Sequence, residues 1–309
     1  IRLSLVGSEM CIRDRESLMV VPQPEHEAEF TLEKGEGQIT LATSSVSAGV
    51  SLQTGEIVFT DSDGAVFVAE QEGGGRTFTP ATVKGESCYA VRQQWASPPD
   101  EALYGLGANQ TSFMNLKGKD ADLFQYNTLA VVPFLISNRN YGILWDNNSR
   151  TKYGDIRDWR DLSGMKLYGS FGNEGGLTAI YDDRNRGKEP FLIRRENEIS
   201  YLYLPDMAKF PEGFNLAEGR VTWEGEFEPD TSGVYKFVFT SAGYAKLWID
   251  GELLFDRWRQ CWNASANYFS LRLEAGKRYP LRLEWIPEGG ESFLGLQYLP
   301  PLDEEEQQR

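Results

Sequence analysis

The sequence predicts an all-β protein built from antiparallel sheets, and three observations carry that reading. Short segments alternate apolar and polar residues at period two. Turn residues recur between them at short intervals. No segment sustains the 3.6-residue apolar period of a helix. With 309 residues the chain has room for about two domains. Its 40% hydrophobic and 13% aromatic content is enough to fill two cores.

Residues 1–15, IRLSLVGSEMCIRDR, stand apart. The apolar portion is too short and badly flanked for a signal peptide. The string SLVGSEMCIRDR resembles translated sequencing-adapter read-through, so 1–15 are expected to be a non-native leader with the true N-terminus missing. From 16 to about 94 the chain reads as short strands. Ile39 with Leu41, Val50 with Leu52, Ile57 with Phe59, Val66 with Val68 and Tyr89 with Val91 each skip a polar position. Thr54-Gly55, Asp63-Gly64, Gly73-Gly74-Gly75 and Lys84-Gly85 supply the turns of an antiparallel sandwich. Asp61-Ser62-Asp63-Gly64 lacks the later carboxylates of a calcium loop, so a hairpin turn is expected there.

The stretch 101–155 opens on Tyr104-Gly105-Leu106-Gly107 and then carries two apolar runs, 130–136 and 141–145. Ser137-Asn138-Arg139-Asn140 between them reads as a hairpin turn, because Asn tolerates positive φ. Val131, Val132, Phe134 and Ile136 predict a central strand covered on both faces, with Pro133 at a bulge or strand entry. In 155–161 acidic and basic residues alternate, which favours a solvated ion-pair network over a metal site.

A second unit is expected from residue 176. Tyr235, Phe237 and Phe239 share one strand face, as do Phe269, Leu271 and Leu273, then Leu281, Leu283 and Trp285. Asp250-Gly251 is a type I′ hairpin signal. The boundaries expected are therefore 16–175 and 176–302, with 303–309 (DEEEQQR) a solvated acidic tail.

Several function classes are excluded by composition. A net charge of −15 argues against nucleic acid, whose binding is driven by Lys and Arg. No apolar run approaches the ~20 residues of a membrane span. Cys11, Cys88 and Cys261 are far apart and odd in number, so neither a disulfide framework nor a zinc site is expected. His26 is the one histidine and lies in an acidic, Pro-flanked segment, which leaves no Ser-His-Asp constellation to build. Gly73-Gly74-Gly75 lacks the Lys-Ser/Thr of a phosphate loop. No cofactor is expected.

Four elements in order, Tyr104-Gly105-Leu106-Gly107, Gln125-Tyr126-Asn127-Thr128, Pro133-Phe134-Leu135-Ile136-Ser137 and Tyr141-Gly142-Ile143-Leu144-Trp145-Asp146-Asn147, resemble the N-terminal domain of glycoside hydrolase family 31. The later order GLTAIY, VTWEGEFEP, SGVYKFVF, KLWIDG, WRQCWN, YPLRLEW resembles the protective-antigen type (PA-14) domain, from Gly176 to about Pro301. Together the resemblances imply a galactose-mutarotase-like β-sandwich, incomplete here, with an inserted β-barrel. That combination belongs to the α-xylosidases acting on xyloglucan oligosaccharides, whose catalytic (β/α)8 barrel would be a missing C-terminal part of the same polypeptide. Related enzymes are often periplasmic or cell-surface proteins of bacteria, and that location is the expectation here. The alternatives are an α-glucosidase of the family and a free-standing carbohydrate-binding or adhesin protein.

Retaining glycoside hydrolysis needs two carboxylates roughly 5 Å apart across the scissile bond. In family 31 both are barrel aspartates, one in a Trp-x-Asp-Met-x-Glu-like motif that this sequence lacks. No catalytic residue is therefore expected in this chain. The resemblance does imply substrate contacts. A sandwich loop reaching the barrel mouth maps onto Gln125, Tyr126 and Asn127, although Leu129 stands where the family has Asp and its carboxylate contact is lost. Alternatively Tyr126 is core and Asn127 a turn residue. In the second unit Trp258, Arg259, Trp262 and Asn263 combine aromatic faces with planar hydrogen-bonding groups, the chemistry of sugar recognition. Trp262 and Arg259, supported by Trp258 and Asn263, are candidates for distal subsites. The alternative is that both Trp pack under the loop while the Arg residues pair with Asp256 and neighbouring acids.

Overall fold

The computed structural model describes residues 17, 19–21, 29–108, 113–125, 129–146, 149–184, 187, 189–257, 264–288 and 292–303. It divides into two compact units, Ile1–Ile156 and Arg157–Arg309. Both are antiparallel β. Among the described residues no helix is long and apolar enough to cross a membrane.

In the first unit β1 (Thr31–Lys34), β2 (Gln38–Ala42), β3 (Val46–Ser51), β4 (Ile57–Asp61) and β5 (Val66–Ala69) form a meander in chain order. The β4–β5 turn is the one expected at Asp61-Ser62-Asp63-Gly64. The Asp61 carboxylate accepts from the backbone N–H groups of Asp63 and Ala65, each at 2.9 Å. β6 (Arg76–Val83) and β7 (Glu86–Gln93) pair through Lys84-Gly85, both at positive φ (50° and 86°), as a primed turn requires. Next come β8 (Leu103–Ala108), β9 (Ala121–Leu123), β10 (Ala130–Ser137), β11 (Gly142–Leu144) and β12 (Thr151–Tyr153). They pair as β11-β10-β8 and β12-β9.

The β10–β11 hairpin turns at 137–140, with Asn140 at φ 61°. The β10–β8 register shifts between Val131 and Leu135, which places Pro133 at a bulge as expected. Opposite it, Gly107 has φ 96°, and a Cβ there would lie 2.0 Å from the Ala130 carbonyl oxygen. The glycines of the Tyr-Gly-Leu-Gly element therefore admit the bulged strand. β10 departs from the expectation that both its faces are covered. Val131 and Leu135 pack on Leu103, Leu106, Leu116 and Leu123. Val132, Phe134 and Ile136 are 51%, 37% and 47% exposed. Tyr104 lies opposite Ile136, and Leu144 opposite Phe134, so the neighbouring strands extend that apolar face without covering it.

One carboxylate secures this hairpin. Glu101 is buried, and its Oε1 accepts from the hydroxyls of Ser137 (2.5 Å) and Tyr141 (2.6 Å). Its Oε2 accepts from Ser97 at 2.6 Å. Burial by itself raises the Glu101 pKa, but bonds from Ser137, Ser97 and Tyr141 with the Lys117 charge outweigh it and hold the carboxyl below its ordinary value. Burial, then the same carboxylate, pushes the Tyr141 phenol up to about 12.

The second unit comprises β13 (Arg160–Asp161), β14 (Lys166–Gly169), β15 (Leu177–Asp183), β16 (Leu192–Glu196), β17 (Ser200–Tyr201), β18 (Gly219–Glu228), β19 (Gly233–Ser241), β20 (Tyr244–Ile249), β21 (Glu252–Arg257), β22 (Ser265–Leu273), β23 (Tyr279–Ile286) and β24 (Leu294–Leu299). One sheet runs β13-β24-β19-β22, with β17 also on β24. The other runs β16-β15-β18-β23-β20-β21, with β14 also on β18. β13 pairs with β24, and β14 with β18, so strands that precede residue 176 belong to this compact unit, which starts at Arg157.

Period-two alternation supplies the core. Leu177, Ala179 and Tyr181, then Val221 and Trp223, then Leu281, Leu283 and Trp285 face inward with Tyr235, Phe237 and Phe239. Asp250 (φ 51°) and Gly251 (φ 79°) make the type I′ turn between β20 and β21.

A second saturated carboxylate lies within this core. Glu196 accepts from Arg194 Nε (2.6 Å), Trp223 Nε1 (2.6 Å), the Tyr201 hydroxyl (3.2 Å) and the Tyr181 hydroxyl. Tyr201 belongs to the sheet containing β24, and Tyr181 and Trp223 to the other sheet. Phe210 stacks on Tyr201 with ring centroids 4.3 Å apart, sealing the group from above.

Three outcomes are expected. Gly107→Ala strains a positive φ and meets backbone, so it should lower first-unit stability by more than about 1 kcal/mol in denaturant unfolding. Glu101, held below its unfolded pKa, adds stability above the ordinary carboxylate range and loses it as pH falls through the folded value. Acidification should therefore lower the melting temperature of the first unit. Glu101→Gln should be less stable at neutral pH and decline less on acidification. Glu196→Ala removes the acceptor shared by Arg194 Nε, the Trp223 indole and two phenols, and should cost the second unit about 3–5 kcal/mol by equilibrium unfolding.

Candidate functional site

β21 ends at Arg257 in one sheet and β22 starts at Ser265 in the other. The chain therefore passes from layer to layer between them, and the candidate residues Trp258, Arg259, Trp262 and Asn263 fall in this passage. They lie outside the described residues, as do Tyr126 and Asn127. Their frame is described. Asp256, the acid expected as an alternative partner for the arginines, pairs with Lys246 at 3.2 Å. The Arg257 guanidinium lies over the Phe255 ring at 5.1 Å, and Phe255 meets Phe239 edge to face at 5.0 Å. On the other side Tyr268 packs near Trp159, with centroids 6.0 Å apart. The described residues on either side, at the end of β21 and the start of β22, are thus on strands packed against the core.

Gln125 is exposed, and its Oε1 accepts from the Val131 N–H at 3.2 Å. That bond fixes the side chain at the entry of β10, while its carboxamide N–H₂ provides two donors.

The buried carboxylates show what this chain can do chemically. Glu70 accepts from the Ile57 N–H (3.0 Å) and Gln93 Nε2 (3.0 Å) and pairs with Arg76 at 3.0 Å. Glu101 and Glu196 are saturated as described above. A general base must have a lone pair directed at the proton it takes, and a nucleophile one directed at the anomeric carbon. These three carboxylates direct theirs at their own donors and act as structural acceptors. Of the charged run 155–161, Arg157 donates to the Pro300 carbonyl (3.0 Å), and Asp161 accepts from Gln297 (3.1 Å). Among the described residues no group of three His, Cys, Asp or Glu is placed to hold a metal ion. Sequence patterns did not single out Glu70, Glu101 or Glu196, since their partners are up to 40 residues away.

Comparison with known proteins covers both units. Residues 10–153 match the glycosyl hydrolase 31 N-terminal galactose mutarotase-like domain, and residues 173–307 the PA14 domain. The solved GH31 alpha-xylosidase from Xanthomonas citri is 40% identical with a TM-score of 0.86, over 95% of this chain and 32% of its own. An alpha-xylosidase of Saccharolobus solfataricus is 31% identical over 176 residues, 54% of this chain and 23% of its own length. The anti-sigma-I factor RsgI3 of Acetivibrio thermocellus is 37% identical over 161 residues, 50% of this chain and 23% of its own. This chain therefore spans about a quarter of these two curated relatives and a third of the solved one. The chain therefore carries a glycosyl hydrolase 31 N-terminal galactose mutarotase-like domain followed by a PA14 domain, and a solved enzyme of that family matches nearly all of it.

Proposed function

We propose that the whole protein is a retaining, exo-acting α-glycosidase that releases α-linked xylose from xyloglucan oligosaccharides, and that this chain is its non-catalytic, substrate-holding part. The observation that carries the reading is the match to a GH31 alpha-xylosidase at 40% identity over 95% of the chain, since it takes in both units at once. On this reading the reacting aspartates belong to a (β/α)8 barrel elsewhere in the polypeptide. Gln125, Tyr126 and Asn127 contact the sugar near the cleaved bond. Trp262 and Arg259, with Trp258 and Asn263, form distal subsites in which an indole face meets pyranose C–H groups and planar donors meet hydroxyls.

The full-length protein should hydrolyse an aryl α-xyloside in preference to an aryl α-glucoside. The reverse preference would make it an α-glucosidase, and turnover of neither would remove the glycosidase reading. In the same protein Trp262→Ala should lower kcat/KM on a xyloglucan fragment about tenfold while sparing the aryl xyloside. An equal fall on both substrates, or none, rules out the distal-subsite role.

A further inference from the structure

The outer face of the second unit's larger sheet carries a shallow groove of about 520 Å³, lined by Lys246, Trp248, Gly251, Pro280, Arg282 and Glu284. We propose that this groove is a binding site for a neutral oligosaccharide, with Trp248 as its platform. The proposal rests on the reading that the protein acts on glycans.

Strand register assembles the site. Trp248 on β20 lies opposite Arg282 on β23, which lies opposite Glu224 on β18. One step along, Lys246 lies opposite Glu284. These side chains alternate with the inward-facing Leu247, Ile249, Leu281 and Leu283, so all of them point outward from a rigid, core-packed sheet. The β20–β21 register shifts between Leu247 and Trp248, with Leu254 of β21 as the extra residue, so Trp248 lies beside a bulge in its neighbouring strand. Trp248 is half-buried and leaves part of its ring to the groove.

Charge selects the ligand class. The Arg282 guanidinium is held by Glu224 at 3.1 Å and by Glu284 at 3.2 Å, and sits 5.6 Å from the centre of the Trp248 ring. Lys246 is in turn paired with Asp256. Acids and bases alternate along both rows, so no single sign of field favours an ion. An anion would meet the carboxylates that bracket Arg282, and a cation would find the position beside the ring already occupied by a guanidinium. A polyhydroxylated, uncharged ligand suits every group. Its C–H face lies on the indole, and its hydroxyls donate to carboxylates and accept from Arg282 and Lys246. The volume falls within the usual range for small-ligand sites.

The test is calorimetric titration of the 309-residue chain with a xyloglucan oligosaccharide, a cello-oligosaccharide and an anionic oligogalacturonide. Wild type should bind a neutral glycan. Trp248→Ala should weaken binding at least about tenfold with an unchanged melting temperature. Arg282→Met, which keeps the aliphatic stem, should weaken it without removing the platform, and serves alone if the Trp variant unfolds. Unchanged affinity in the folded variants, tighter binding of the anionic glycan, or no binding of any neutral glycan by wild type would overturn the proposal. Hydrolysis of the aryl α-xyloside by the full-length protein separates the two readings. Turnover with a groove that fails these tests sinks the groove alone, whereas absence of turnover sinks the glycosidase.

Discussion

One carboxylate, with little of its side chain exposed, bonds to both layers of the second unit. Glu196 takes hydrogen bonds from Tyr181 and Trp223 in one sheet and from Tyr201 in the other. An ionised carboxylate is costly to bury unless its lone pairs are engaged. Here the cost is offset by four donors, one of them the Arg194 guanidinium. Their directions also set geometry. An apolar interface between two sheets tolerates sliding, whereas a carboxylate that must meet an indole N–H and two phenols does not. The relative placement of β15, β17 and β18 therefore depends on this group. So does the Tyr201–Phe210–Trp285 stack above it, whose members lie within 6.4 Å of one another.

Glu101 does comparable work in the first unit at the level of one hairpin. It ties the start of β8 to the turn between β10 and β11 through Ser137 and Tyr141. The resulting sheet is anchored at its end and packed on one face only. Its other face presents Val132, Phe134 and Ile136 beside Tyr104 and Leu144. The two units thus reach stability differently. The second closes its sheets over one continuous core, while the first holds several small sheets together with polar clamps at their ends, Glu70 and Glu101 among them.

This contrast explains which features were legible in the sequence. Turns are local, so Lys84-Gly85, Asp250-Gly251 and Asn140 announced themselves through the φ values that only certain residues accept, and Pro133 marked its own bulge. Alternation named the inward faces of β19, β22 and β23. The apolar run of β10 was misleading, because an apolar sequence records what a strand is suited to pack against and not what covers it. The strands ahead of residue 176 that join the second unit were illegible for another reason. β13 spans two residues, and Gln297 of its partner strand reaches back 136 positions to Asp161, so no window of sequence contains the pair. Of the candidate sugar contacts, Gln125 is described; Tyr126 and Asn127, implied by the family resemblance, and Trp258, Arg259, Trp262 and Asn263, read from residue type, lie outside the described residues. Trp248 was passed over because it occupies an outward position in an ordinary strand pattern, and only register places Arg282 beside it.

The division between holding a glycan and cleaving it follows from where the polar groups point. Cleavage needs carboxylates with directed, available lone pairs, a few ångströms to either side of a bond. The buried carboxylates described here are instead satisfied by their own fold, which gives them definite positions and removes them from proton transfer. The outward sheet positions are left with paired charges, planar donors and an indole. On the proposed reading such a surface suits an uncharged polyol held in register, because each of its members is fixed by a strand. Under the proposed function, a β-scaffold clamped by such acids is suited to align a long neutral substrate.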